Sequence, residues 1–299
     1  MKLRFADFRE IRLEDRDIIR EHLFRHHPMS CEQNYCNMFN WSPAYQYRWT
    51  MHDGRLLVRL DGEGSLLFPC GEYFPPETLA LIADMLQENG MDGSIFDVPP
   101  AYLDAYPDYG RYFAASTTED SWDYIYAVEK LHSLSGAKLR KKRNHIAQFE
   151  RAFPRWKELP LNDATVREYE SFVARYYDGV SPEQRGEDDY PALETALKFY
   201  AFTGLEGLAL HNGDQVVAIA LFSRQNAETY TIHFEKSDRN IPGASQMVNL
   251  RTAAFLRNRC RYLNREQDMG LPGLRHAKRS YDPEFQLRNY TLERNTAKR

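Results

Sequence analysis

The chain has 299 residues, 42% of them hydrophobic and 27% charged, with 19 Tyr and 17 Phe. That balance excludes a disordered chain and leaves room for one large domain or two of about 150 residues each. A net charge of −4 excludes a global basic field, so any contact with nucleic acid has to rest on a local patch.

A helix is expected over residues 13–26, opened by Leu-Glu-Asp. Short strands follow over 44–50, over 55–60 after the turn His52-Asp53-Gly54, and over 65–68. Residues 76–87 carry proline in the first turn and Asn89-Gly90 just past the end, the start and stop of a helix. Residues 94–98 read as a strand broken by Pro99-Pro100, and 112–115 and 123–128 as two more. A long helix is expected over 129–153, stopped by Pro154, and two others over 163–177 and 191–203. The acidic loop between those two, 178–190, carries Gly and Pro and reads as a mobile segment.

The last hundred residues change character. Residues 205–211 alternate, Asn212-Gly213-Asp214 is a hairpin turn, and 215–223 form an apolar strand. Residues 228–236 alternate strictly: Tyr230, Ile232 and Phe234 are expected on one face, Thr231, His233 and Glu235 on the other. The loop SDRNIPGAS leads to an amphipathic helix over 246–258, a strand over 261–266, a short helix over 272–281 and a final strand over 286–292. The order is β-β-β-loop-α-β-α-β.

No stretch approaches the roughly 20 consecutive apolar residues of a membrane helix. The charged N-terminus, MKLRFADFREIRLEDRD, lacks the apolar centre of a signal peptide, so a cytoplasmic location is expected. Cys31, Cys36, Cys70 and Cys260 are few and scattered, without a CxxC pair, and read as small buried hydrophobes. His26-His27 lacks carboxylate or Cys partners at ligand spacing, so no metal is assigned. Absence of GxSxG, Walker A and Rossmann glycine patterns disfavours hydrolase, NTPase and dehydrogenase chemistry.

Three segments carry a resemblance: SCEQNYCNMFNW (30–41), DYIYAVEKLHSLSGAKLRKKRNHIAQFER (123–151), and the run from IHFEKSD (232–238) through GASQMVN (243–249) to YLNREQDMGLPGLRHAKRSYDP (262–283). On these the chain resembles a family of bacterial proteins that share the architecture of the C-terminal, catalytic domain of phosphatidylglycerol lysyltransferase. The resemblance implies an α+β class built as a tandem GNAT-like acyltransferase fold, with two mixed, mostly antiparallel sheets flanked by helices. It also implies two halves, 1–128 and 129–299, the second carrying the site and the first a pseudo-symmetric scaffold. The membrane-embedded region that precedes this domain in the lysyltransferases has no counterpart in the sequence, and their lysine-charged transfer RNA donor is not implied.

The strand–loop–helix layout is that of the acetyl-CoA-binding half of such folds, where free N–H groups at a helix start suit a phosphate. Arg239 and Ala244 fit the pyrophosphate-loop pattern. Pro242 does not, since it stands where the first Gly belongs and cannot donate a hydrogen bond. Acyl-CoA and aminoacyl-tRNA both remain open as donor.

GNAT-type transfer needs a base, donors for the oxyanion and a proton for the leaving group. Glu235 is the expected base, His233 the second choice, and Tyr281 the expected acid. Substrate contacts are assigned to Lys278, Lys142, Asn264, Glu266, Arg239 and Arg275. The resemblance raises Lys278, through its Lys-x-x-Tyr/Phe-x-Pro context. On the helix 129–153, Leu131, Leu134, Leu139, Ile146, Phe149 and Phe153 form one stripe with Lys142 near its middle. A lysine there either faces a wet cleft or snorkels to the surface. Glu235-Lys236 also reads as a surface ion pair, Tyr281 as core, and Arg265-Glu266 with Arg275 as a structural network.

The expected function is transfer of an acyl or aminoacyl group to an amine or hydroxyl, without metal. The alternative is a non-catalytic module that binds RNA or anionic lipid through KLRKKR, residues 138–143.

Overall fold

In the computed structural model, residues 3–162, 166–178 and 189–295 are described. The loop expected as mobile, 178–190, lies for the most part outside the described residues. The chain divides into two compact units, Met1–Trp122 with Leu287–Arg299, and Asp123–Gln286.

The first unit holds a seven-stranded sheet in the order β1-β2-β3-β4-β5-β14-β6. Its strands are β1 (Arg9–Glu10), β2 (Tyr47–His52), β3 (Arg55–Leu60), β4 (Ser65–Cys70), β5 (Ile95–Val98), β6 (Phe113–Ser116) and, from the chain's end, β14 (Tyr290–Arg294). The β2–β3 hairpin turns at Asp53 and Gly54, both with positive φ, as a primed two-residue turn requires. β4 and β5 are parallel neighbours, linked by the helix Pro76–Glu88. The core is Leu57, Leu66, Phe68, Leu79, Leu86, Ile95, Phe113 and Leu292 with their neighbours.

Two features differ from the expectation. Residues Tyr35–Tyr45 are a helix, capped by Asn34, whose side chain accepts from the N–H of Cys36 and Asn37. The helix runs through Pro43 and ends on left-handed Gln46, so the strand expected from residue 44 starts at Tyr47. And the last strand joins the first sheet: Leu292 pairs with Ile95 on one side and Ala115 on the other. The division therefore falls at 122 rather than 128, and the first unit is closed by the chain's C-terminal segment.

The second unit holds the order β13-β7-β12-β11-β10-β9-β8. Its strands are β7 (Asp123–Ala127), β8 (Trp156–Pro160), β9 (Glu206–Asn212), β10 (Gln215–Arg224), β11 (Thr229–Ser237), β12 (Tyr262–Asn264) and β13 (Phe285–Leu287). β8 to β11 form an antiparallel meander, and β12 lies parallel to β11 after the crossover helix Ala244–Leu256. That helix packs on a core of Tyr124, Tyr126, Leu208, Ala220, Tyr230 and Leu263. At its start Gly243 has φ +83°, and a Cβ there would stand 2.2 Å from the His145 carbonyl oxygen, so the position admits only glycine.

The single helix expected over 129–153 is two, Val128–Ser133 and Arg140–Ala152. Leu134 and Gly136 take positive φ between them, and Arg143 holds the break by donating to the carbonyls of both. The apolar stripe survives the break: Leu131, Leu134, Leu139, Ile146 and Phe149 are all in the core.

Candidate functional site

Leu221 pairs with Phe234 and Phe222 with Ile232, so His233 is the extra residue of a β-bulge. The strict alternation expected over 228–236 therefore stops at Ile232. Tyr230 and Ile232 face the helix-covered core as expected. One inserted residue reverses the phase beyond it. Glu235 consequently meets Arg265 beside the Ala244–Leu256 helix, while His233 points to the other face, beside Ser223. The expected base and its understudy are on opposite sides of one sheet.

On the His233 side, the imidazole is buried, with Nδ1 3.0 Å from Glu266 Oε1 and Nε2 2.8 Å from Ser223 Oγ. With Nδ1–H donating to the carboxylate, Nε2 is left to accept from the serine hydroxyl, the tautomer of a base; this proton placement follows from the partners. Glu266 has left-handed backbone, φ +57°, and its N–H donates to Asn264 Oδ1 at 2.7 Å. Asn264 is itself fixed by donating to Asp123 Oδ2 at 2.6 Å. Asn264 thus holds the turn that aims Glu266, and Glu266 holds the ring. Ser223 and Asp123 were not foreseen. Ser223 ends an apolar run; its register partner is Thr231, and the bulge beside that pair leaves the His233 ring within hydrogen-bond reach of its hydroxyl.

On the helix side the centre is Arg265. Its guanidinium pairs with the Glu235 carboxylate and lies 5.1 Å from the Tyr281 ring and 5.6 Å from the Tyr126 ring. Asn249, turned so that its amide oxygen faces the guanidinium, accepts from Nη1 at 2.9 Å and Nη2 at 3.2 Å. That assignment gives up a 3.5 Å amide contact to Glu235 for two shorter bonds to a cation. Burial works against the Arg265 charge, but Glu235 and the two tyrosines outweigh it and hold the group above its ordinary value.

Lys142 Nζ sits 4.1 Å over the Tyr281 ring, half-buried, and burial followed by the field of Arg265 lowers its pKa. Tyr281 is buried, and its hydroxyl has no hydrogen-bond partner among the described residues. Burial pushes that hydroxyl well up, Arg265 pulling it down and Glu235 adding to the rise. Glu235, Tyr281 and Lys142 are therefore brought together, with Arg265 between them.

Lys278 and Arg275 stand elsewhere. Lys278 is buried with Nζ on the Gln267 carbonyl and 5.7 Å from the Tyr124 ring. Leu271 and Leu274, close to it in sequence, are exposed. Arg275 is bidentate to Asp268, 2.8 Å to each oxygen, which also accepts from Tyr124 Oη at 2.6 Å. Burial would raise the Asp268 carboxyl, but Arg275, Tyr124 and the Gly270 N–H outweigh it and hold it low. The expected network of Arg265, Glu266 and Arg275 is thus replaced by three separate pairs, Arg265–Glu235, His233–Glu266 and Arg275–Asp268. Lys236 pairs with Asp189 at 2.6 Å rather than with Glu235. Arg239 is exposed against Tyr176, its Cζ 5.1 Å from the ring, and joins neither cluster.

The basic run is divided. Lys138 pairs with Asp282 at 2.8 Å, Arg143 holds the helix break, Lys142 turns inward, and Arg140 and Lys141 are exposed. Among the described residues, no helix is long and apolar enough to cross a membrane.

The fold is GNAT-like, as expected, and is shared with acetyltransferases of that family. A conserved protein of unknown function from Bacteroides thetaiotaomicron VPI-5482 superposes with a TM-score of 0.87 at 27% identity, over 96% of this chain and 99% of that one. The structure of L-PGS from Bacillus licheniformis superposes with a TM-score of 0.64 at 13% identity, over 92% and 91%. An uncharacterized protein of Mycoplasmoides gallisepticum is 25% identical over 177 residues, 58% of this chain, so the chain spans little more than half of that relative, 57%. The family described as phosphatidylglycerol lysyltransferase, C-terminal, matches residues 25–293, and the chain belongs to it.

Proposed function

We propose that this chain transfers an acyl or aminoacyl group from an ester or thioester donor to a hydroxyl or amine acceptor, using the second unit. The observation that carries the reading is the Ser223–His233–Glu266 chain, an imidazole with a carboxylate on one nitrogen and a hydroxyl on the other. Such a ring accepts a proton at Nε2 and becomes an imidazolium that Glu266 stabilises. The acceptor heteroatom attacks the donor carbonyl, and its proton passes through Ser223 to His233. Collapse of the tetrahedral intermediate expels the donor's oxygen or sulfur, which takes the proton back. On the other face, Lys142 and the unpartnered Tyr281 hydroxyl suit an anionic substrate group, a phosphate or a developing oxyanion.

The family description favours an aminoacyl donor and a lipid hydroxyl. The loop at the Ala244–Leu256 helix start fits this better than a coenzyme donor, since it carries Pro242 and packs on the Arg140–Ala152 helix backbone. Purified protein is incubated with radiolabelled aminoacyl-tRNA and phosphatidylglycerol vesicles, and in parallel with acetyl-CoA and amine acceptors. Aminoacyl-lipid formed only with protein present is the expected result. Acetylated amine alone would move the donor to acetyl-CoA, and no product from either donor with natively folded protein would reject the transferase reading.

A further inference from the structure

The first unit carries a cavity of about 500 Å³ that the transfer chemistry does not use. It lies at the carboxyl ends of the parallel strands β4 and β5, past the last paired residues, Leu67 and Phe96. In open α/β sheets such crevices are where ligands bind, and the volume is that of a small-molecule pocket. Its walls come from Phe68 and Cys70 on β4, Asp97 on β5, and the segment before β14.

Asp97 marks the site. It is 6% exposed, and its backbone is left-handed, φ +60°, a strained state for a residue inside a strand. Ser30 Oγ donates to its Oδ1 at 2.8 Å and Asn289 Nδ2 at 3.2 Å. These two partners come from stretches of sequence distant from Asp97 and from each other, so the carboxylate is held by the fold and not by its own strand. Its charge adds to burial in pushing the Cys70 thiol up to about 12, which leaves that thiol unreactive.

The remaining lining selects the ligand. Phe68 and Tyr73 present aromatic surface, their rings 5.6 Å apart. Glu72 adds a second carboxylate, 90% exposed and only loosely held by Arg55 at 3.8 Å. Burial and then the nearby His22 lower the His26 pKa. Arg288, the one guanidinium in the lining among the described residues, lies over the Tyr290 and Trp122 rings, at 4.8 and 5.4 Å. A buried carboxylate beside aromatic faces is a setting for an organic cation.

We infer that this cavity binds a small organic molecule through a primary ammonium group, seated on Asp97, with an alkyl or aryl body against Phe68 and Tyr73. The inference does not depend on the transferase reading, because every residue it uses lies in the first unit.

The test uses the full chain with methyl-labelled methionine, since Met29 lines the cavity. Its resonance is assigned from Met29→Leu. Phenethylamine and hexylamine are titrated beside phenethyl alcohol and hexanol. Both amines should shift the Met29 signal and saturate, with each alcohol at least about tenfold weaker, one step of the affinity scale. Asp97→Asn should weaken the amines by at least about tenfold and leave the alcohols unchanged, since asparagine tolerates the left-handed backbone. Should that variant fail to fold, the amine-against-alcohol comparison on the unmodified chain decides. Equal binding of amines and alcohols, shifts at other methionines but not Met29, undiminished amine binding by Asp97→Asn, or no amine binding up to about 10 mM, a weak-fragment limit, would each overturn the inference.

Discussion

His233 Nδ1 stands 3.0 Å from Glu266 Oε1, across a turn that Asn264 fixes from below. The pair joins a bulged residue of β11 to a left-handed residue just past β12, so two backbone irregularities converge on one hydrogen bond. Irregular backbone of this kind persists where surrounding structure holds it in place. Glu266→Gln keeps the shape and removes the charge that steadies the imidazolium. Transfer should fall by about 10 to 100-fold, a part of what proton transfer contributes. The thermal midpoint should move little, because Glu266 is partly exposed. Steady-state kinetics beside a melting curve separate the two effects.

Lys142 makes the opposite kind of prediction. Its folded pKa lies below the ordinary lysine value, so the folded chain disfavours its charged form. That cost is present at neutral pH and disappears as pH rises past the ordinary value near 10.4. Lys142→Met should leave stability unchanged or raise it by up to about 1 kcal/mol, discounted because the side chain is only half-buried. Transfer, and binding of anionic substrate, should drop. A variant that is both less stable and fully active would show that Lys142 only packs on Tyr281. Denaturant melts at neutral and alkaline pH, read beside the transfer assay, check both parts.

Asp268 ties the Pro272–Arg279 helix to β7 through Arg275 and Tyr124. Its folded pKa is depressed, so its stabilising contribution is present above the ordinary carboxylate value near 4 and is lost as pH falls through the lower folded value. Asp268→Asn should cost about 2–4 kcal/mol at neutral pH, the range for breaking a buried pair with one partner partly exposed. Below about pH 4 the difference from the unmodified chain should shrink. Urea melts across pH test the sign as well as the size.

Gly243→Ala should destabilise by about 2–4 kcal/mol, from the left-handed backbone together with overpacking against the His145 carbonyl. A melting curve unchanged within error would mean that the two helices separate easily there.

Much of the fold was legible because periodicity and turn chemistry are local. The hairpin at Asp53-Gly54, the helix from Pro76 and the meander after residue 205 all follow from short patterns. The apolar stripe of Leu131 to Phe149 was legible too, although the helix carrying it breaks at Leu134 and Gly136, because burial constrains faces more tightly than it constrains backbone continuity. What could not be read depends on partners distant in sequence. Leu292 completes a sheet whose neighbours are Ile95 and Ala115, and no local pattern announces such a return. Of the residues expected at the site, Glu235, Tyr281 and Lys142 lie together in the structure while Lys278 stands apart, and Arg265 between the three was read as a partner of Glu266. One inserted residue at His233 explains that error, since it turns Glu235 to the helix side and leaves Glu266 to the imidazole.

The most direct measurement is the single-turnover rate of aminoacyl transfer to phosphatidylglycerol by His233→Gln, with circular dichroism to verify the fold. A loss of at least about 100-fold, the lower end of what general base catalysis contributes, is the predicted result. A folded His233→Gln protein that transfers at the unmodified rate would contradict the account and move the chemistry away from the bulge.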